Sequence, residues 1–321
     1  MDDSVLETIG SPLVRVDSPP GTTVAAKLES HNPGGSAKDR PARYMVEAAE
    51  ADGLLEPGDA IVEPTSGNTG VGLALVGAAT GYDVTLVMPA SKSEERRRVM
   101  KAYGADIELV EGSIEDAKEH ADELEADGMV QLRQFENEAN PRSHYETTAE
   151  ELLDQLEGRT PDALVAGVGT GGTVTGIGRR LREAFPAMDV VAVEPERSAV
   201  LSGGPVEADE FQGMGPGFLS PNLDVDLLDG VFTVGIGEAE AECRRIAREE
   251  GVLVGQSGGA SNLRARDVAR AFAAGEDPGY GDVTAAGWEP RPDAGESGAD
   301  PLVLTVFPDS GERYMSTGLF D

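Results

Sequence analysis

Short runs rich in valine, isoleucine and leucine recur along the chain, separated by stretches of helical patterning, and this alternation limits what the chain can fold into. Runs that lack the polar alternation of a half-exposed strand suit strands buried on both faces, as in parallel sheets covered by crossover helices. Candidate strands are residues 60–63, 83–88, 106–110, 163–168, 190–194 and 302–307. Residues 40–51 pattern as a helix, with Pro41 in the first turn and Gly53 beyond the end. The expected fold class is therefore α/β. A length of 321 residues fits one large α/β domain or two closely packed ones. No fixed-period repeat is present. Residues 273–300, rich in Gly, Pro, Asp and Glu with little periodicity, read as a long acidic surface loop inserted within a domain.

Charge excludes several classes of partner. With 59 acidic against 26 basic residues, the formal charge of −33 repels nucleic acid and anionic membrane surfaces. Only five basic residues are lysine, and the acids are spread along the chain, so the surface itself is acidic. Self-repulsion on this scale destabilises a compact state unless counterions screen it, which points to a halophilic protein. The single Cys243 cannot build a disulfide framework and reads as packing. His31, His120 and His144 have no metal-ligand spacing, so no metal is assigned. The residues Met1-Asp2-Asp3-Ser4 lack the basic and apolar regions of a signal peptide, and no apolar run is long enough to span a membrane. A cytoplasmic protein is expected.

Three glycine-rich turns fall at strand-to-helix junctions, at residues 32–40, 65–70 and 167–173. Ligands of open α/β sheets bind at such junctions, where helix N-termini present N–H groups and positive dipole ends. Gly167-Val168-Gly169-Thr170-Gly171-Gly172-Thr173 lets backbone amides approach an anion and adds two threonine hydroxyls where a helix begins, the makings of a phosphate cradle. It also fits Gly-x-Gly-x-x-Gly, with Glu194 about where a ribose-binding acid stands in a dinucleotide fold, so a nicotinamide-dependent oxidoreductase is a rival reading. Against that rival stands Lys38, set between small residues and a helix start in a chain sparing of lysine.

Asn32-Pro33-Gly34-Gly35-Ser36-Ala37-Lys38-Asp39-Arg40 resembles the lysine motif of the cysteine synthase and cystathionine β-synthase family, fold type II pyridoxal-phosphate enzymes. Thr65-Ser66-Gly67-Asn68-Thr69-Gly70 resembles that family's amino-acid carboxylate loop, and Gly169-Thr170-Gly171-Gly172-Thr173 its cofactor-phosphate loop. The likeness runs from Ile9 to Tyr314 and lies nearest to O-acetylserine sulfhydrylases. It implies two α/β domains with mainly parallel, twisted sheets and flanking helices. The larger, cofactor-binding domain would comprise residues 1–33 and 145–321, and the smaller, mobile one residues 34–144. Carried over by position, Lys38 would form the Schiff base with pyridoxal 5'-phosphate and then remove the substrate Cα proton. Asn68 would bond the cofactor's ring hydroxyl, residues Gly169 to Thr173 would hold its phosphate, and Ser257 would face its pyridine nitrogen. Thr65, Ser66, Gly67, Thr69 and Gln134 would grip the substrate carboxylate. A hydroxyl rather than a carboxylate at the ring nitrogen makes the cofactor a weaker electron sink, which favours expelling a β-substituent.

The resemblance thus implies β-replacement, making L-cysteine from O-acetylserine and sulfide. It also implies a homodimer, with serine acetyltransferase a candidate partner. A cystathionine-type reaction of serine with homocysteine and an O-phosphoserine sulfhydrylase are alternatives, while a dehydratase of this fold type usually differs in both the carboxylate and phosphate loops. The chain departs from the family at Ser91-Lys92-Ser93, at Ala149-Glu150-Glu151 and at Asp209-Glu210-Phe211-Gln212-Gly213. The last adds negative charge that disfavours a phosphorylated donor. The charge balance carries its own prediction: the thermal midpoint rises between low and molar salt, and equal midpoints would remove the halophilic reading.

Overall fold

The computed structural model describes residues 1–284 and 300–321. In chain order its strands and helices are β1 (Leu13–Val16), β2 (Thr23–Leu28), α1 (Asp39–Ala51), β3 (Ala60–Pro64), α2 (Asn68–Thr80), β4 (Asp83–Pro89), α3 (Glu94–Ala102), β5 (Asp106–Val110), α4 (Ile114–Ala126) and β6 (Val130–Gln131). There follow α5 (Ala139–Ser143), α6 (Ala149–Gln155), β7 (Ala163–Gly167), α7 (Gly172–Ala184), β8 (Asp189–Pro195), β9 (Gly230–Val234), α8 (Ile236–Glu250), α9 (Gln256–Ala274) and β10 (Leu302–Phe307). A short π-helical segment, His144–Thr148, links α5 to α6.

The chain divides into two compact units, one of residues 1–9 and 32–140, the other of residues 10–31 and 141–321. The smaller holds a four-stranded sheet, β5-β4-β3-β6, parallel throughout. Alternate residues of its strands face opposite ways, as the pleat requires. Ile61, Leu86 and Met88 pack with α1, α2 and Met100, whereas Val62 and Val87 pack with Ala117 and Ala121 of α4. Residues 1–9 were expected in the larger domain but group with this unit. Leu6 enters its core and Arg43 donates to the Leu6 carbonyl at 2.9 Å.

The larger unit holds a six-stranded sheet, β1-β2-β10-β7-β8-β9, parallel except where β1 runs antiparallel to β2. Its two faces are both apolar. Val165, Val191, Val193 and Val303 join α8 and α9 on one side, while Leu164, Val190, Ala192 and Leu304 join α6 and α7 on the other. Burial on both faces explains why these strands read as unbroken apolar runs in the sequence. Cys243 is fully buried, and burial pushes its thiol up to about 12, in keeping with a packing role.

The expected surface loop 273–300 differs where it is described. Residues 273 and 274 close α9, Gly281 exchanges backbone hydrogen bonds with Val231 of β9, and Val283 is buried. Tyr280 stacks edge-on against Phe232 and donates to Asp189 at 3.2 Å. The segment covers the open edge of β9, which an unpaired strand needs. The rest of that loop lies outside the described residues.

Inside the larger unit Lys27 of β2 is completely buried. Its ammonium donates to the Ser11 carbonyl at 2.5 Å, to Glu151 at 2.6 Å and to Gln155 at 2.9 Å. Removing the ammonium leaves the Glu151 carboxylate without its counter-charge. Lys27→Met is expected to lower stability by about 3 kcal/mol, read from the denaturant midpoint at constant m-value.

Candidate active site

In the smaller unit Lys38 stands at the N-cap of α1, half-buried. The loop that delivers it is braced by its own side chains. Asn32 donates to the Ser36 carbonyl at 3.1 Å, the Ser36 hydroxyl accepts the Lys38 N–H at 3.2 Å, and buried Asp39 accepts the Gly34 N–H at 2.5 Å. The Lys38 carbonyl is close-packed against α2, where a Cβ on Gly72 would lie 2.9 Å from it. A glycine there lets the two helices approach, and that approach fixes where the lysine starts.

The same unit assembles the proposed carboxylate loop. β3 ends at Pro64 and α2 begins at Asn68, so Thr65, Ser66 and Gly67 form the turn between strand and helix. The Thr65 hydroxyl accepts the Gly67 N–H at 3.3 Å, and Thr69 donates to Gln134 Oε1 at 2.6 Å. Gln134, far along the chain, is thereby joined to the loop.

Glu63 went unnoticed in the sequence reading. It lies in β3, 1% exposed, and its carboxylate accepts the N–H groups of Arg133 at 3.0 Å and Gln134 at 3.1 Å. Burial raises its pKa to about 7 against the pull of those amides and of the Arg133 guanidinium. A charged residue inside an apolar strand was the signal that could have marked it.

In the larger unit β7 leads into the glycine loop and α7 begins at Gly172. Gly171 has φ +80°, and a Cβ there would lie 2.6 Å from that of Leu223, so only glycine fits both the turn and the space. Thr170 accepts the Gly172 N–H through its hydroxyl at 3.4 Å, and Ser220 donates to its carbonyl at 2.7 Å. Thr173 Oγ1 lies 3.1 Å from Nε2 of buried His144, whose Nδ1 lies 2.9 Å from Thr148 Oγ1. His144 thus orients the second threonine of the loop. Gly169 packs against the Gly213 carbonyl, leaving no room for a side chain.

Ser257 is buried in the first turn of α9. Ser261, one turn on, donates to the Ser257 carbonyl at 2.8 Å, and its Oγ would stand 3.4 Å from a Cβ on Gly167. The start of α9 and the glycine loop are therefore neighbours. Glu194, the acid of the dinucleotide reading, is buried and turned to other work. It accepts from the N–H of Leu201 at 2.8 Å, and from the N–H of Ser202 at 2.9 Å and its hydroxyl at 2.7 Å. A ribose-binding role is corrected on that ground, and the nicotinamide reading loses its acid. No cluster of residues able to hold a metal ion occurs among the described residues.

These features fit a phosphate-bearing aldehyde cofactor. The glycine loop contains amides and hydroxyls and no carboxylate, a lysine is anchored at a helix start, and the α9 turn offers a hydroxyl rather than an acid. Each suits a lysine-dependent cofactor enzyme of α/β fold. The chain belongs to the pyridoxal-phosphate dependent enzyme family, whose sequence profile matches residues 6–278, and its cofactor is pyridoxal 5'-phosphate. It is 44% identical over 325 residues to a cysteine synthase of Staphylococcus aureus (strain Mu50 / ATCC 700699), covering 99% of this chain and 97% of the relative. An O-ureido-L-serine synthase of Streptomyces lavendulae is 43% identical, over 99% of this chain and 93% of that one. A solved O-ureido-L-serine synthase superposes with a TM-score of 0.88 at 41% identity, over 100% of this chain and 96% of that one. O-acetylserine sulfhydrylase isoform 3 of Entamoeba histolytica does so with a TM-score of 0.87 at 35% identity, over 100% and 92%. The architecture is that of fold type II pyridoxal-phosphate enzymes, as the sequence implied.

Glu63 makes stability depend on pH. Its folded pKa, about 7, lies above its ordinary 4.5, so the folded chain keeps a proton that the unfolded chain releases between those values. The stability it contributes is fully present below pH 4.5 and is lost as pH rises through about 7. The change is worth about 3 kcal/mol. Denaturation of the wild type and Glu63→Gln at pH 5 and pH 8 is expected to show the wild type losing more stability on going to pH 8.

Proposed function

We propose that the chain is a cysteine synthase, exchanging the acetoxy group of O-acetylserine for sulfide. The full-length likeness to a cysteine synthase carries this reading. Pyridoxal phosphate, when bound, supplies an electron sink for bonds breaking at the substrate Cα. The chain supplies the rest. Lys38 Nζ is the amine that holds the cofactor and the base that takes the Cα proton. Residues Gly169, Thr170, Gly171, Gly172 and Thr173 hold the phosphate with amides and hydroxyls, and Asn68 the ring hydroxyl. Ser257 Oγ faces the ring nitrogen without the charge that would keep it protonated. Thr65, Ser66, Gly67, Thr69 and Gln134 hold the substrate carboxylate and so orient the Cα–H bond.

Asp209 and Glu210 support an uncharged leaving group. Asp209 accepts the Phe211 N–H at 2.9 Å, and the next residue, Gln212, donates its N–H to Gln256 Oε1 at 3.1 Å, beside Ser257. Their negative charge, close in sequence to the Gln212 contact with Gln256, disfavours an anionic donor such as O-phosphoserine. The same proposal makes the enzyme a cytoplasmic, halophilic homodimer, with serine acetyltransferase as the candidate partner. It assigns the cofactor's phosphate and ring nitrogen to residues of the larger unit, and Lys38, Asn68 and the substrate grip to the smaller. A relative named O-ureido-L-serine synthase, nearly as similar, makes the donor and nucleophile the points to test.

Absorption spectra in high salt decide them. The wild type is expected to show a visible cofactor band that shifts with O-acetylserine and returns on adding sulfide, and Lys38→Ala is expected to lack that cycle. A band that ignores O-acetylserine but answers L-serine with homocysteine would replace the proposal with a cystathionine-type reaction.

A further inference from the structure

Gln134 lies where the chain has just left its sheet. β6 is two residues long and ends at Gln131, so the amides that follow have no strand ladder to complete. Arg133 adopts φ +56°, a left-handed conformation uncommon outside glycine. With that turn, the successive N–H groups of Arg133 and Gln134 converge on one carboxylate, that of Glu63. The Leu132 amide acts on the same group. Glu63 is separated by Pro64 alone from the loop that begins at Thr65. One residue of β3 therefore holds both strands of the arrangement: its backbone leads into Thr65–Thr69, and its side chain holds the backbone of Gln134.

Two further bonds complete the brace. Asn140 donates to the Gln134 carbonyl at 2.8 Å, and Thr69 donates to Gln134 Oε1 at 2.6 Å. With Oε1 engaged as an acceptor, what the Gln134 side chain can offer a carboxylate is its Nε2 amide. A fully buried carboxylate in place of an apolar side chain is costly, and backbone amides offset that cost only while they point at it. Arg133 does not bury with it. Its guanidinium is turned outward to Glu125 at 2.5 Å and Asp122 at 3.5 Å.

We propose that Glu63 is a positioning residue for the amino-acid substrate: it sets the Gln134 amide relative to Thr69, and so the affinity of the site for the substrate carboxylate. The proposal rests on the assignment of Gln134 to that carboxylate. Its test is a double-mutant cycle on the cofactor-loaded enzyme, following the spectral titration with O-acetylserine. Glu63→Gln keeps the shape but turns an N–H donor toward the backbone amides. It is expected to raise the half-saturating O-acetylserine concentration about tenfold, with cofactor content and kcat within about twofold of wild type. Gln134→Ala should raise it as well, and adding Glu63→Gln to Gln134→Ala should raise it little further. If Glu63→Gln does not load cofactor, Glu63→Asp, which keeps the charge but withdraws the acceptor, takes its place in the cycle with the same expectation.

Additive effects, or normal saturation in the Glu63 variant beside a weakened Gln134→Ala, overturn the role of Glu63 alone. Normal saturation in Gln134→Ala overturns the assignment of Gln134 and the role of Glu63 with it, while a shift and return with O-acetylserine and sulfide would still uphold the reaction.

Discussion

Backbone amides at the start of a helix have no carbonyl one turn earlier to accept them, and a parallel sheet gathers such helix starts at the carboxyl ends of its strands. The loops proposed to hold the ligands follow from that requirement. Where α7 begins the need falls on Gly172, whose amide the Thr170 hydroxyl accepts beside a glycine at a left-handed position. Where α2 begins it falls on Gly67, whose amide the Thr65 hydroxyl accepts. At the end of β6 no helix follows at once, and Glu63 receives the amides instead. The positions proposed to bind anions and the positions that need acceptors to fold largely coincide, in keeping with the small and hydroxyl-bearing residues gathered there.

That coincidence governs what can be read from sequence. Expected strands 83–88 and 106–110 match Asp83–Pro89 and Asp106–Val110 within a residue because an apolar run buried on both faces is a local signal. β2 escaped the same reading because Lys27 breaks its run, and only the fold shows that Ser11, Glu151 and Gln155 satisfy that lysine. β1 has exposed Arg15 and lies at the sheet edge, and β6 is too short to carry a pattern. The glycine loops were legible since their chemistry lies within six to nine consecutive residues. Glu63 and Gln134 were not legible as a pair, since 71 residues separate them. Glu194 shows the converse error. Its spacing suited a ribose, yet the turn at Leu201 and Ser202 takes up both of its oxygens.

Electrostatics sets a further condition, because a chain of formal charge −33 must still hold a phosphate and a carboxylate. The loops proposed to hold them contain no acid: Thr65 to Gly70, Gly167 to Thr173 and Gly255 to Ala260 are uncharged throughout. Oriented amides and hydroxyls act at contact distance, whereas the repulsion of surface carboxylates acts over a screening length of about 8 Å at physiological ionic strength and about 3 Å in molar salt. Concentrated salt therefore suppresses the distant repulsion and leaves the dipoles in contact with the ligand nearly untouched. Neutral loops suit such a surface better than arginine would, since an exposed guanidinium among so many acids is drawn into surface pairs. Arg133, Arg180 and Arg245 already are, each bonded to two or more carboxylates.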